Sequence, residues 1–143
     1  MPLSSLGALG PVIVAAATGL RKGLSVDPVI EKYDQAWNAS DANERRRLLD
    51  AALTDDCEML EPRGRFVGRE AILERITGFA ERFPGATVEI TTNIDEHNGF
   101  ARYGWKITDQ GGGPLLEGID VVERAGDGRL AKVVMFFGDL KPQ

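Results

Sequence analysis

The sequence predicts an α+β domain in which three helices precede a mainly antiparallel sheet that ends in a four-strand meander. Three observations carry that reading. Apolar residues recur at helical spacing in three stretches between Pro28 and Phe83. From Thr87 onward they alternate with polar residues, and Asn-Gly and Gly-rich turns separate the alternating runs. Helices first and strands last is the order of a domain whose helices pack on one sheet face.

Asp27-Pro28 is an N-cap followed by proline at the first helical position. Val29, Ile30, Tyr33, Ala36 and Trp37 then form one apolar stripe. A second helix opens at Asp41 with Glu44 three residues on, a capping-box pattern, and runs through Leu48, Leu49, Ala52 and Leu53. Short extended pieces follow, Cys57 to Glu61 and Arg65 to Val67. The third helix carries Ile72, Leu73, Ile76, Phe79 and Phe83, and Pro84-Gly85 stops it. The first meander strand is predicted over Thr87 to Asp95, and Asn98-Gly99 turns it into a strand with Ala101, Tyr103, Trp105 and Ile107 on one face. Gly111 to Pro114 leads into Leu115 to Glu123, and Ala125 to Gly128 leads into Leu130 to Phe137.

Composition narrows the function classes. With 143 residues, 43% hydrophobic and 27% charged, the chain is long enough for one domain with a real core. A net charge of −5 and a pI of about 4.9 argue against nucleic acid as a partner, and Arg45-Arg46-Arg47 reads as a solvated helix face. A single cysteine, Cys57, gives no disulfide framework and reads as a small buried hydrophobe. The single histidine, His97, leaves no zinc or iron set. No phosphate loop and no flavin or nicotinamide fingerprint is present, so neither metal nor cofactor is expected.

Residues 1–24 stand apart from the domain expected over 25–143. No charge occurs between Met1 and Leu20, and Arg21-Lys22 follow the apolar run where a secretory signal would place them ahead of it. Gly7, Gly10, Pro11 and Gly19 interrupt a segment barely long enough to span a bilayer. The segment is expected to be an extension that packs on the domain or a partner subunit, or is mobile. The protein is expected in the cytoplasm with no membrane partner.

Tyr33, Glu61 and Asp120 are the candidate chemical groups. Strand alternation puts Asp120 on one face with Leu116, Gly118 and Val122, surroundings that disfavour a carboxylate and favour its protonated form. A protonated carboxyl and the Tyr33 phenol are both hydrogen-bond donors, and two donors on one carbonyl oxygen stabilise a developing enolate. Glu61, ionised nearer the pocket mouth, would then move the proton. Each has a plainer reading: Tyr33 as core, Glu61 as an exposed loop acid, and Asp120 as a structural partner of Arg102, Tyr103 or a helix terminus. Trp37, Phe79, Trp105, Leu116 and Phe136 are the expected pocket wall, with Gly118 leaving room for a flat substrate.

The chain resembles the NTF2-like cone, including the SnoaL-like and ketosteroid-isomerase-like families, over residues 26–139. The resemblance rests on Tyr33 through Asp41, Thr54-Asp55-Asp56, Glu61-Pro62, Gly68-Arg69-Glu70-Ala71-Ile72, Gly118-Ile119-Asp120 and Phe136-Phe137-Gly138-Asp139. It implies a curved sheet and a small hydrophobic ligand. It also implies that Tyr33 and Asp120 are oxyanion donors and that Glu61 is the proton-moving carboxylate. The chain departs from the isomerases in having Glu at 61 in place of Asp, Val121 where they commonly have histidine, and a longer second helix.

Three classes follow. A cofactor-free isomerase, cyclase or dehydratase acting through an enolate is favoured. An epoxide hydrolase of the limonene-epoxide type would need Arg-x-Asp on one strand, but Gly104 stands two places after Arg102, and a histidine-dependent dehydratase is disfavoured by the position of His97. A non-catalytic ligand-binding or dimerisation module is the alternative. Leu115, Ile119 and Val121 alternate onto the face opposite Asp120, so a homodimer through the sheet is expected.

Overall fold

The structure, a computed structural model, describes residues 27–143; the expected extension over residues 1–24 lies outside them. The elements in chain order are α1 (Pro28–Asn38), α2 (Ala42–Ala52), β1 (Leu53–Glu61), β2 (Gly64–Val67), α3 (Arg69–Arg82), β3 (Thr87–Ile90), β4 (Asp95–His97), β5 (Phe100–Thr108), β6 (Pro114–Arg124) and β7 (Leu130–Phe137). Three helices pack on one face of a curved sheet of order β2-β1-β7-β6-β5-β3, with β4 also on β5. Pairing is antiparallel throughout except between β1 and β7.

The helix starts follow their caps. The Asp27 side chain accepts from the Val29 and Ile30 amides, and that of Asp41 accepts from the Glu44 amide at 2.9 Å. The inner faces of the three helices bury Ile30, Tyr33 and Trp37, Leu49 and Ala52, and Ile72 and Ile76 in one core with the inward residues of β1, β5, β6 and β7. The Asn38 amide closes α1 onto the edge strand β3, donating to the Val88 carbonyl at 2.8 Å and accepting from its amide at 2.7 Å.

Four expectations need correcting. Arg45 is buried instead of lying on a solvated face, because its guanidinium donates to the Ala36 and Ala39 carbonyls left open at the end of α1, and to Thr77 Oγ1. The strand expected from Cys57 begins at Leu53, where the second helix was expected to continue. A register shift against β7 between Leu53 and Glu58 hides any alternation. The strand expected over Thr87 to Asp95 is split in two, since Gly104 binds a looped-out Thr91-Thr92 through both its carbonyl and its amide. Leu115 does not sit flat on the outer face: it is the extra residue of a bulge between the pairs Ile107–Leu116 and Thr108–Pro114, and it lines the inner cavity. The turn at Asn98-Gly99 is as expected, both residues having positive φ (52° and 81°).

Candidate functional site

A cavity of about 240 Å³ opens between α1, α3 and the concave sheet face. Tyr33, Tyr103, Trp105 and Asp120, all buried, form its floor. Phe79 and Leu116 make its walls, and the exposed Arg63, Arg82, Phe83 and Leu115 form its rim. Tyr33, Glu61 and Asp120 therefore line one cavity, although they come from α1, the end of β1 and the middle of β6.

Asp120 is built into the floor by strand register. It lies directly across the β5–β6 ladder from Tyr103, with Trp105 two residues along the same face. The Tyr103 hydroxyl donates to Oδ2 at 3.0 Å, and the Trp105 indole N–H donates to Oδ1 at 2.8 Å. Burial pushes the Asp120 carboxyl up to about 7 and outweighs the two hydrogen bonds, which favour its charged form. The structural partnership with Tyr103 and the cavity position thus coexist in one side chain.

Tyr33 is not bonded to Asp120. Its hydroxyl lies 3.5 Å from the Met59 sulfur, a weak acceptor, and its ring stands edge-on to Trp37. Burial and the nearby Asp120 hold the phenol well above its ordinary value, so it stays a donor. A buried hydroxyl whose one acceptor among the described residues is a thioether gains by meeting a better one.

Glu61 is not the exposed acid of the plainer reading. Its side chain is 1% exposed, and Arg75 grips both carboxylate oxygens at 3.1 and 3.2 Å. Arg75 is itself held over the Phe66 ring. Among the described residues no group of three His, Cys, Asp or Glu side chains is placed to hold a metal.

Two expected wall residues are misplaced. Phe136 points outward and is 55% exposed; alternation along β7 sends Met135 and Phe137 to the cavity instead, with Phe137 edge-on to Trp105. Gly118 leaves no room for substrate, because the Trp105 ring occupies the space beside it. Trp37, Phe79, Trp105 and Leu116 do line the cavity.

Sequence reasoning passed over Asp34, Arg75 and the cavity role of Tyr103. Asp34 lines the cavity, and burial, followed by Glu31 and Glu89, raises its carboxyl to about 7. Its signal was available: Asp34 lies four residues after Ile30 and three before Trp37, a lone acid on an apolar stripe.

A family model described as the SnoaL-like domain matches residues 30–133. Among solved structures, the chain is similar to a candidate isomerase of the SnoaL-like family from Agrobacterium tumefaciens str. C58, with 28% identity and a TM-score of 0.73 over 78% of this chain and 95% of that one. It is also similar in fold to a candidate polyketide cyclase from Sinorhizobium meliloti, with 16% identity and a TM-score of 0.63 over 79% and 97%. An NTF2-like protein of unknown function from Exiguobacterium sp. 255-15 shares the fold at 13% identity and a TM-score of 0.65 over 78% and 99%. No curated protein matches the chain.

Proposed function

Because the chain belongs to the SnoaL-like domain family, we propose that it is a proton-transfer enzyme of isomerase, cyclase or dehydratase type. Its substrate is a small hydrophobic carbonyl compound that reacts through an enolate. The observation that carries this reading is Asp120, a buried carboxyl raised to about 7 at the floor of a largely apolar cavity.

The hydrogen bonds around Asp120 suggest where its proton sits. The indole N–H can only donate, so Oδ1 stays an acceptor and the proton belongs on Oδ2, facing Tyr103. Once Oδ2–H donates to the Tyr103 oxygen, the phenolic hydrogen is free to turn into the cavity. A substrate oxygen then meets two phenols, Tyr33 and Tyr103, the second strengthened by the acid behind it. The C–H bond α to the carbonyl breaks, its proton goes to a carboxylate, and its electron pair moves to the oxygen held by these donors. Return of the proton to another carbon gives the isomer and regenerates the site.

Glu61 is the proposed base, oriented by its double contact with Arg75. A second reading assigns that step to Asp34. Among the described residues no hydrogen bond or ion pair engages its side chain, and a carboxyl near 7 is better matched to accept a proton from carbon at neutral pH. Glu61→Gln and Asp34→Asn separate the two, since only loss of the true base abolishes exchange of an α-proton with solvent.

The reading is tested by titrating 2-naphthol, a fluorescent planar phenol, into the wild type, Tyr33→Phe and Asp120→Asn. Weaker binding in both variants supports one shared oxygen site. Equal affinity in all three proteins contradicts it and favours a non-catalytic small-ligand module.

A further inference from the structure

The cavity rim carries a charge that the floor chemistry does not use. Arg63 lies in the turn between β1 and β2, and Arg82 is the last residue of α3; both line the cavity mouth and both are exposed. Neither has a carboxylate within ion-pair reach among the described residues, and residues 1–26 contain no Asp or Glu to supply one. Every other arginine of residues 27–143 has a carboxylate partner except Arg45, which donates to backbone carbonyls and Thr77. Among the described residues, Arg63 and Arg82 are thus the two exposed arginines without an acid, and both line one opening.

Glu61 already neutralises Arg75, so the surplus at the rim is that of Arg63 and Arg82. The Arg82 guanidinium lies 5.6 Å from the centre of the Phe83 ring, which holds it beside the mouth. Between this rim and the phenols of the floor lie Phe79 and Leu116, a wall suited to a flat apolar body. A cationic mouth on a chain of net charge −5 attracts anions that the rest of the surface repels.

We propose that the substrate is an amphiphilic anion: a small planar carbonyl compound bearing a carboxylate, which Arg63 and Arg82 hold at the mouth while its carbonyl oxygen reaches Tyr33 and Tyr103. The assignment rests on the proton-transfer reading and adds the substrate class to it. A carboxylate suits the planar forks of two arginines.

The test compares 6-hydroxy-2-naphthoic acid with 2-naphthol at about pH 6, where both hydroxyls are neutral and only the first probe is charged. Fluorescence titrations use the wild type, the Arg63→Gln/Arg82→Gln double variant and Asp120→Asn. The carboxylate should bind the wild type about three- to tenfold more tightly than naphthol. That advantage should shrink with added salt and vanish in the double variant, whose naphthol affinity stays unchanged. Equal affinity of the two probes for the wild type, an advantage that survives in the double variant, or no binding of either probe overturns the proposal. Failure of the underlying reading looks different: Asp120→Asn would bind both probes as the wild type does, with the carboxylate advantage intact.

Discussion

Gly118 stands directly across the β5–β6 ladder from Trp105, and the side chain that Gly118 lacks is the space into which the Trp105 indole folds. A Cβ at 118 would lie 2.6 Å from the indole Cζ2 and closer still to the Phe136 carbonyl oxygen. The glycine thereby lets the indole N–H reach Asp120 at 2.8 Å, and a backbone vacancy on one strand sets the acid on the cavity floor. Gly118→Ala should therefore cost about 2–4 kcal/mol by overpacking and a lost hydrogen bond, read by urea denaturation. Unchanged stability would contradict this account of the floor.

Asp120 makes the fold sensitive to pH in a definite direction. Its carboxyl titrates at about 7 when folded, against roughly 3.9 when unfolded, so the fold prefers the neutral form. Its contribution is fully present below about pH 4, falls as pH rises towards 7, and is constant above that. Asp120→Asn keeps an acceptor for the indole and a donor facing the Tyr103 oxygen, but an amide N–H is a weaker donor than the carboxyl O–H and strengthens the Tyr103 phenol less. The variant should gain stability relative to wild type between about pH 4 and 7, by on the order of 2–4 kcal/mol at pH 8. A difference that does not vary with pH, measured by denaturant melts across that range, would contradict the assignment.

The Glu61–Arg75 pair should respond asymmetrically. Glu61 is almost wholly enclosed while Arg75 is partly exposed, so Arg75→Gln strands the more deeply buried charge. It should cost about 2–4 kcal/mol, Glu61→Gln less, and the double variant less than the sum of the two. Additive losses in a double-mutant cycle would show that the pair is not coupled.

The outer sheet face carries Ile119 (41% exposed) directly opposite Phe136, with Val121 and Val134 paired next to them. We expect this face to join two copies of the chain. Light scattering of the full chain at micromolar concentration should give a dimer, and Phe136→Asp a monomer; a monomeric wild type would contradict the expectation.

The elements were legible where local chemistry decides them. Asp27 and Asp41 cap their helices whatever surrounds them, and Asn98-Gly99 accepts the positive φ of its turn without help from elsewhere. Alternation likewise placed Asp120 inward among Leu116 and Val122. What was not legible depends on register between strands. Tyr103 and Trp105 become partners of Asp120 only once β5 and β6 are aligned, and Leu115 turns inward only because of the bulge beside it. Phe136-Phe137 offers two aromatics in succession at a strand end, and only the ladder to β6 tells which one enters the cavity. The arginines of the rim look like any solvated charges until the paired ones are set aside.

Exchange of an α-proton with solvent deuterium tests the central claim most directly. It would be followed by NMR on a small panel of planar enolisable ketones, with wild type and Asp120→Asn side by side. The proposed mechanism predicts that the wild type accelerates exchange on at least one ketone and that Asp120→Asn loses about a hundredfold or more of that rate while remaining folded. Exchange by Asp120→Asn as fast as by the wild type would contradict it, as would a wild type that binds the ketones and exchanges none.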